Sequence, residues 1–535
     1  MIKATAGLRL NWLLGILAAT FLTVAGASQA QVTPFIQAVA ETAAQDKDIA
    51  AFYKSRNYKP IWTGKSSKDS ARRKAFLAAV SDADAHGLPA SRYDANKIKS
   101  GLKAAKTQRD RGILEVELSQ MFLQYAQDIQ SGILTPSRID SEIVRSLPRR
   151  GRSQTLVAFS KSSPRGFIKT LPPKAPEYTR LMKEKLALEK RVGQGGYGSK
   201  VTASSLKPGQ SGAQVVALRN RLIAMGYMKR TASQSYDASL QKAVQIFQQN
   251  HGLSPDGVAG AGTLNMVNKT AEEHLKSVIV SMERERWMNR NRGKRHVWVN
   301  LTDFTAKIVD NGKVTFSTRS VIGKNTSDRR SPEFSDVMEF MMVNPTWNVP
   351  RSIATKEYLP MLKKNPNAVS HLRLVNSSGK TVSRGGVNFN QYSAKTFPYA
   401  LKEPPSRGNA LGLVKFMFPN KYNIYLHDTP SKSLFNKQVR AFSHGCIRLA
   451  DPFDFAYALL AKQSSDPEGT FKRALDSGVE TRINLKEPVP VHIVYRTAIT
   501  QAKGPTQYRN DIYGRDAKLF NALSKAGVTL RAVRG

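Results

Sequence analysis

Hydrophobic positions change rhythm along this chain, and each rhythm predicts a different kind of element. From about residue 40 to 200 apolar residues recur at helical spacing, as in Leu114, Leu118, Met121, Phe122 and Tyr125. Breaks at Gly132 and Pro136, and again at Pro172-Pro173, divide the region into several helices. His86 lies in Ala85-His86-Gly87-Leu88-Pro89 and reads as a turn or capping residue, not as a ligand. Gly193, Gly195, Gly196 and Gly198, mixed with polar residues, predict a flexible linker. A compact helical unit follows: Val215, Leu218 and Leu222 form one apolar face, Gly226-Tyr227 closes that helix, and Leu240, Ala243, Val244 and Phe247 form a second face.

From about residue 275 the pattern becomes that of strands. Val297-Trp298-Val299-Asn300 and Val321-Ile322-Gly323 read as short strands, with Asn311-Gly312 as a hairpin turn. Residues 351–410 lack that rhythm, carry Pro360, Pro366, Pro398, Pro404 and Pro405, and are long for a plain loop; a lid over a cleft is expected there. The fold class expected is multidomain, with a mainly α N-terminal region, a small three-helix domain and a mainly β domain bearing a helical insertion or lid. The boundaries expected are 40–200, 204–270 and 275–498, with a basic extension of unassigned role at 499–535.

Composition narrows the class. A chain of 535 residues exceeds one ordinary core, and 41% hydrophobic residues exclude a disordered polymer. Residues 1–30 have a basic start at Lys3 and Arg9, an apolar run from Trp12 to Gly26 and a small-residue cleavage pattern at Ser28-Gln29-Ala30. That run is short of the roughly 20 residues that span a bilayer, so a cleaved signal peptide and export are expected. Lys and Arg total 82 against 40 Asp and Glu, a net charge of +42 that favours polyanions. Export directs that charge to the anionic envelope and away from nucleic acid. The lone cysteine, Cys446, has no partner for an intramolecular disulfide.

Candidate chemistry is concentrated after Lys421. Alternation in Tyr422-Asn423-Ile424-Tyr425-Leu426-His427 sends Ile424 and Leu426 one way and Tyr425 and His427 the other. Residues 441–449 run through Ser443-His444-Gly445-Cys446-Ile447-Arg448; if extended, they put His444, Cys446 and Arg448 on one face. Cys446 follows His427 by nineteen positions, which suits neighbouring strands joined by a loop at Pro430 and Ser431. Beside an imidazolium, a thiol of pKa about 8.5 becomes mostly thiolate at neutral pH, so the pair is a minimal nucleophile and base. Gly445 admits close approach, and the Cys446 amide is placed to face an oxyanion. The fork of Arg448 suits a substrate carboxylate. Asp451-Pro452-Phe453-Asp454 reads as a helix start capped by Asp451. A zinc site built from His427, His444 and Cys446 is the alternative, but a fourth ligand is missing and the spacing fits no common zinc pattern.

Two resemblances sharpen this reading. Gly212, Gly226-Tyr227, Ala243-Val244-Gln245-Ile246-Phe247-Gln248, Gly252-Leu253-Ser254-Pro255-Asp256-Gly257 and Gly260-Ala261-Gly262-Thr263 resemble the three-helix peptidoglycan-binding domain. Ile424-Tyr425-Leu426-His427-Asp428-Thr429-Pro430 and Ser443-His444-Gly445-Cys446-Ile447-Arg448 resemble the signature of L,D-transpeptidases. Val343 to Pro350 and Asn409 to Phe416 extend the likeness to the large Gram-negative members, which carry an N-terminal scaffold domain. The resemblance implies a β-sandwich-type catalytic domain in which Cys446 is acylated and His427 is the base, oriented by the Asp428 backbone carbonyl. It implies that His444 and Gly445 shape the oxyanion region, and that Arg448, Tyr425, Ser443 and Asn409 contact substrate; some members have asparagine in place of Arg448. The implied reaction joins two diaminopimelate residues of peptidoglycan stems in the periplasm, with no cofactor or metal, and the thiol is open to acylation by carbapenems. The partners implied are peptidoglycan stem peptides and glycan, with anionic envelope components or outer-membrane proteins as further candidates. Two other readings stay open: a hydrolase, if water resolves the acyl-enzyme, and a non-catalytic wall anchor.

Overall fold

The computed structural model describes residues 32–533, so the export signal expected at 1–30 lies outside it. Among the described residues no helix is long and apolar enough to cross a membrane.

The N-terminal region is helical. Its longest helix, Gln108–Ser131, opens on a capping box between Thr107 and Asp110 and stops at Gly132, whose φ of 91° suits glycine. Leu114, Leu118, Phe122 and Tyr125 on this helix pack with Trp62, Phe76 and Phe159 in a core of mixed aliphatic and aromatic side chains, while Met121 packs at its edge. His86 lies in a turn, its Nδ1 3.1 Å from the Tyr178 hydroxyl and its ring stacked on that tyrosine, which gives it a structural role. The second unit has helices Ala213–Ala224, Ala238–Asn250 and Ala261–Val267; the inward faces of the first two are the apolar positions expected from the sequence, and the third, which begins where a turn was expected, adds Leu264, Met266 and Val267.

The glycine-rich stretch is not a loose linker. Helix Pro176–Gly193 runs into it, Gly195, Gly196 and Gly198 turn at positive φ, and Tyr197 between them is buried with its hydroxyl 3.0 Å from His274 Nδ1. Composition alone signals backbone freedom; here that freedom makes a tight turn that a buried tyrosine pins.

Helix Ala271–Trp287 then enters the interior. Its run Glu283-Arg284-Glu285-Arg286 is at most 2% exposed at every position. Glu283 accepts from the Leu134 N–H at 2.9 Å and pairs with Arg286 at 2.7 Å; Arg284 meets Asp516 at 2.5 Å; Glu285 meets Arg496 at 2.7 Å. These partners come from the N-terminal region, the β domain and the C-terminal segment, so the four charges tie the parts of the chain together.

The β domain contains strands β1 (Arg295–Asn300), β2 (Thr305–Asp310), β3 (Lys313–Gly323), β4 (Phe334–Val343), β5 (Trp347–Asn348), β6 (Arg373–Val375), β7 (Ala400–Glu403), β8 (Val414–Met417), β9 (Leu426–His427), β10 (Ala441–Ser443), β11 (Ile447–Leu449) and β12 (Thr481–Val494). The main sheet runs β10-β3-β11-β9-β8-β4-β12-β1-β2, and β2 also pairs with β3, so it folds round on a single core. Asn311 and Gly312 form the expected hairpin turn, both at positive φ.

Residues 351–410 are more than a loop. β5, β7 and β6 form a small antiparallel sheet over a core of their own that includes Trp347, Leu359, Leu362, Leu374, Phe389, Phe397 and Leu401. Its strands are only two to four residues long, too short to show a rhythm in the sequence. The C-terminal stretch is also folded: β13 (Ala498–Ile499) and β14 (Gln507–Tyr508) form a hairpin, and helix Arg515–Lys525 follows. Leu519 and Leu523 of that helix share a core with Leu181, Leu188 and Leu275, so this stretch is no free extension.

Candidate active site

β9 and β11 are neighbours and parallel, with Arg448 opposite His427 and Ile447 opposite Leu426. Facing residues of a parallel pair point the same way, so Tyr425, His427, Cys446 and Arg448 share one face of the sheet. Ile424, Leu426, Ile447 and Leu449 point oppositely and are buried in the core.

The segment through Cys446 is not extended throughout. β10 pairs parallel on one side of β3 and β11 antiparallel on the other, so residues 444–446 cross over the end of β3. Gly445 makes the bend at φ 115°, where a Cβ would come within 3.1 Å of Ile424. The bend takes His444 off the face expected for it: its Nε2 lies 2.8 Å from Glu357 of the 351–410 insertion. Glu357 also accepts from Arg329 at 2.8 Å, which joins the insertion to the rim of the site.

Cys446 is half-buried, its thiol 3.4 Å from the Asn423 carbonyl. Burial pushes this thiol up to about 11, against the lowering effect of the Tyr425 N–H, the Tyr425 hydroxyl and the Arg448 charge. His427 is 4% exposed, and burial with the charge of Arg448 takes it down to about 3; the carbonyls of Asp428 and Leu411 oppose that fall, and Lys415 adds to it. At neutral pH the resting pair is therefore thiol and neutral imidazole, where the sequence led to an expected thiolate and imidazolium. The pocket desolvates both ions, and neighbouring cations repel a protonated ring. Nδ1 of His427 is buried without a close hydrogen bond, and the carbonyls of Asp428 and Leu411 beside the ring can accept only from a ring N–H.

A pH dependence follows. A group whose folded pKa is raised stays protonated until pH passes that value, so the thiolate fraction of Cys446 climbs through the alkaline range toward about 11. Alkylation of the free protein by iodoacetamide should accelerate about tenfold per pH unit between pH 7 and 10. A rate that is already level below pH 7 would indicate a preformed ion pair.

Two expected substrate contacts have other positions. Ser443 is 2% exposed; its hydroxyl donates to the Cys446 carbonyl at 2.6 Å and accepts from the Gly445 N–H at 3.1 Å, so it shapes the nucleophile turn. Asn409 is fully buried, and its amide donates to the carbonyls of Pro345, Glu403 and Pro404 at 3.2, 3.1 and 2.9 Å. Neither side chain has a free group for a substrate. The Asp428 side chain accepts from the Leu413 N–H at 2.9 Å and from Lys432 at 2.6 Å. A Cβ on Gly412, at φ 63°, would overlap that carboxylate, so the turn before β8 closes only with glycine. Asp451 precedes the expected helix, Pro452–Leu460, but its carboxylate accepts from the Thr318 hydroxyl at 2.8 Å and does not cap the helix.

Tyr425 and Arg448 remain at the site. The Tyr425 ring packs edge-on against His427 at 5.6 Å, and Arg448 has a buried Nε with no acceptor. The structure adds Lys415, which sequence reasoning missed: it lies opposite His427 across the antiparallel β8–β9 pair. The alternation Val414-Lys415-Phe416-Met417 put it off the core face, but only strand pairing put it beside the imidazole.

The comparisons with known proteins agree with this architecture. Residues 47–184 match the scaffold domain, 211–267 the peptidoglycan binding domain and 294–491 the L,D-transpeptidase catalytic domain. A protein of Haemophilus influenzae described as an L,D-transpeptidase is 29% identical over 225 residues, which are 42% of this chain and 45% of that relative's length. An N-acetylmuramoyl-L-alanine amidase of Bacillus licheniformis is 43% identical over 67 residues, 12% of this chain and 19% of its own. A solved L,D-transpeptidase from Stackebrandtia nassauensis aligns with 56% of this chain and 97% of its own at 15% identity, with a TM-score of 0.22 that carries no argument about geometry.

Proposed function

We propose that this chain, which carries an L,D-transpeptidase catalytic domain behind scaffold and peptidoglycan-binding domains, forms 3,3 cross-links in peptidoglycan through a thioester on Cys446. The observation that carries the reading is the parallel pairing of β9 with β11, which puts His427 on the sheet face it shares with Cys446.

The chemistry starts from neutral groups. As Sγ of Cys446 attacks the carbonyl at the L-centre of diaminopimelate in a tetrapeptide stem, the His427 imidazole takes the thiol proton. The tetrahedral oxygen develops its charge near the Cys446 N–H. Collapse passes the proton from His427 to the departing D-alanine amine and leaves the thioester. An amine of a second stem's diaminopimelate then attacks, His427 accepts its proton, and the thiol leaves and is reprotonated. Arg448 offers the stem carboxylates a charged fork, because no carboxylate of the protein pairs with it among the described residues. The domain at 211–267 holds the wall polymer while the catalytic domain works, and the basic surface favours retention in an anionic envelope after export to the periplasm.

Incubation of the mature protein with disaccharide-tetrapeptide tests the reading. A 3,3-linked dimer with release of D-alanine is expected. Tripeptide without dimer would replace the transferase with an L,D-carboxypeptidase, and no release of D-alanine would leave a wall anchor. Intact-mass measurement with a carbapenem should show one adduct, mapped to Cys446.

A further inference from the structure

An oxyanion donor has to be aimed before the reaction begins, because a peptide that turns freely stabilises no charge at the moment of attack. The donor here is the Cys446 N–H, for which no protein acceptor is found among the described residues. A trans peptide is planar, so the direction of the Gly445 carbonyl fixes that N–H on the opposite side. What holds the Gly445 carbonyl therefore aims the donor.

That carbonyl accepts from the hydroxyl of Ser331 at 2.6 Å, and Ser331 is fully buried. The same hydroxyl accepts from the Gly323 N–H at 3.0 Å. The Ser331 N–H donates to the Tyr513 hydroxyl at 3.3 Å, and that hydroxyl donates to the Gly323 carbonyl at 2.5 Å. The Ser331 carbonyl accepts from Arg515 at 3.0 Å. Each polar group of Ser331 is thus engaged, and the C-terminal segment supplies two of its partners. Gly323 is the only residue type that fits beside them, since a Cβ would fall 2.0 Å from the Arg329 carbonyl.

We propose that Ser331, braced by Tyr513 of the C-terminal segment, is a positioning residue that aims the Cys446 N–H at the developing oxyanion. The proposal rests on the acyl-transfer reading of Cys446 and gives residues 499–533 a part in it. Ser331 touches no reacting atom; it acts through one peptide plane.

The test compares two reactions of the same sulfur. Acylation by a carbapenem or a tetrapeptide passes through a tetrahedral oxyanion, whereas alkylation by iodoacetamide displaces iodide and forms no oxyanion. In Ser331→Ala, acyl transfer should fall about 10- to 100-fold in kcat with KM unchanged, below the loss of a whole oxyanion donor. Alkylation of Cys446 should stay within about twofold of the parent rate, because its thiolate is untouched. Tyr513→Phe, which keeps the ring and removes only the brace, should show the same split at about three- to tenfold, and it decides the matter if Ser331→Ala does not fold. Parallel loss of both reactions would mean a merely structural role, and unchanged acyl transfer would mean none; either overturns the proposal. Failure of the parent protein to be acylated at Cys446, with alkylation intact, would instead remove the reading beneath it.

Discussion

Cys446→Ala should bring tetrapeptide turnover and carbapenem adduct formation to background, a loss on the order of 10⁴-fold or more, as removal of a covalent nucleophile does elsewhere. The sulfur is the only thiol in the chain. Alanine keeps the backbone N–H and, at a half-buried site, opens little space, so the melting temperature should move by no more than about 2 °C. Sedimentation with purified sacculi should not change, because the unit at 213–267 has a core of its own. Turnover that persists in this variant would mean that another group is the nucleophile. An unchanged cellular phenotype in this variant, with sacculus binding intact and no turnover by the parent, would favour the non-catalytic anchor.

Arg515→Met should cost about 3–5 kcal/mol of stability, a large part of the roughly 5–15 kcal/mol that holds a typical domain folded. Arg515 has no exposed surface; its guanidinium meets Glu142 at 2.9 Å and Glu333 at 3.4 Å and lies 4.9 Å from the centre of the Tyr513 ring. Methionine fills much of the volume but leaves Glu333, itself 1% exposed, with Arg284 at 3.6 Å as its remaining ion partner. The cost lies in that stranded carboxylate more than in the lost contact. The denaturant midpoint measures it, and a change below about 1 kcal/mol would mean that water reaches Glu333. Since Arg515 also holds the Ser331 carbonyl, acyl transfer should fall in the same variant under conditions where it remains folded.

Local pattern was enough for much of the fold. Helical spacing in Leu114, Leu118, Phe122 and Tyr125, the two faces at 215–247 and the hairpin at Asn311-Gly312 depend on neighbours within a turn or two, and the structure has them as expected. The same holds for the alternation that separates Ile424 and Leu426 from Tyr425 and His427. By contrast, the short strands of 351–410 had no rhythm to read, and the glycines at 193–198 looked like slack until Tyr197 was seen to be buried. Glu283-Arg284-Glu285-Arg286 reads as a solvated charge run in any helix considered alone. It is interior because its counter-charges arrive from segments as distant as Asp516.

The sequence by itself determined which chemistry was possible: one thiol, a histidine on an alternating strand, a glycine before the thiol and an arginine after it. Tertiary structure decided the state and aim of those groups. Burial keeps the thiol neutral against the pull of Arg448, burial with Arg448 and Lys415 keeps the imidazole neutral, the crossing at Gly445 sends His444 to the insertion, and a serine 115 positions upstream holds the peptide next to the sulfur. Residue type and strand alternation are local properties. Desolvation, charge repulsion and the orientation of a peptide plane are sums over groups brought together from distant parts of the chain, and these exist only once it has folded.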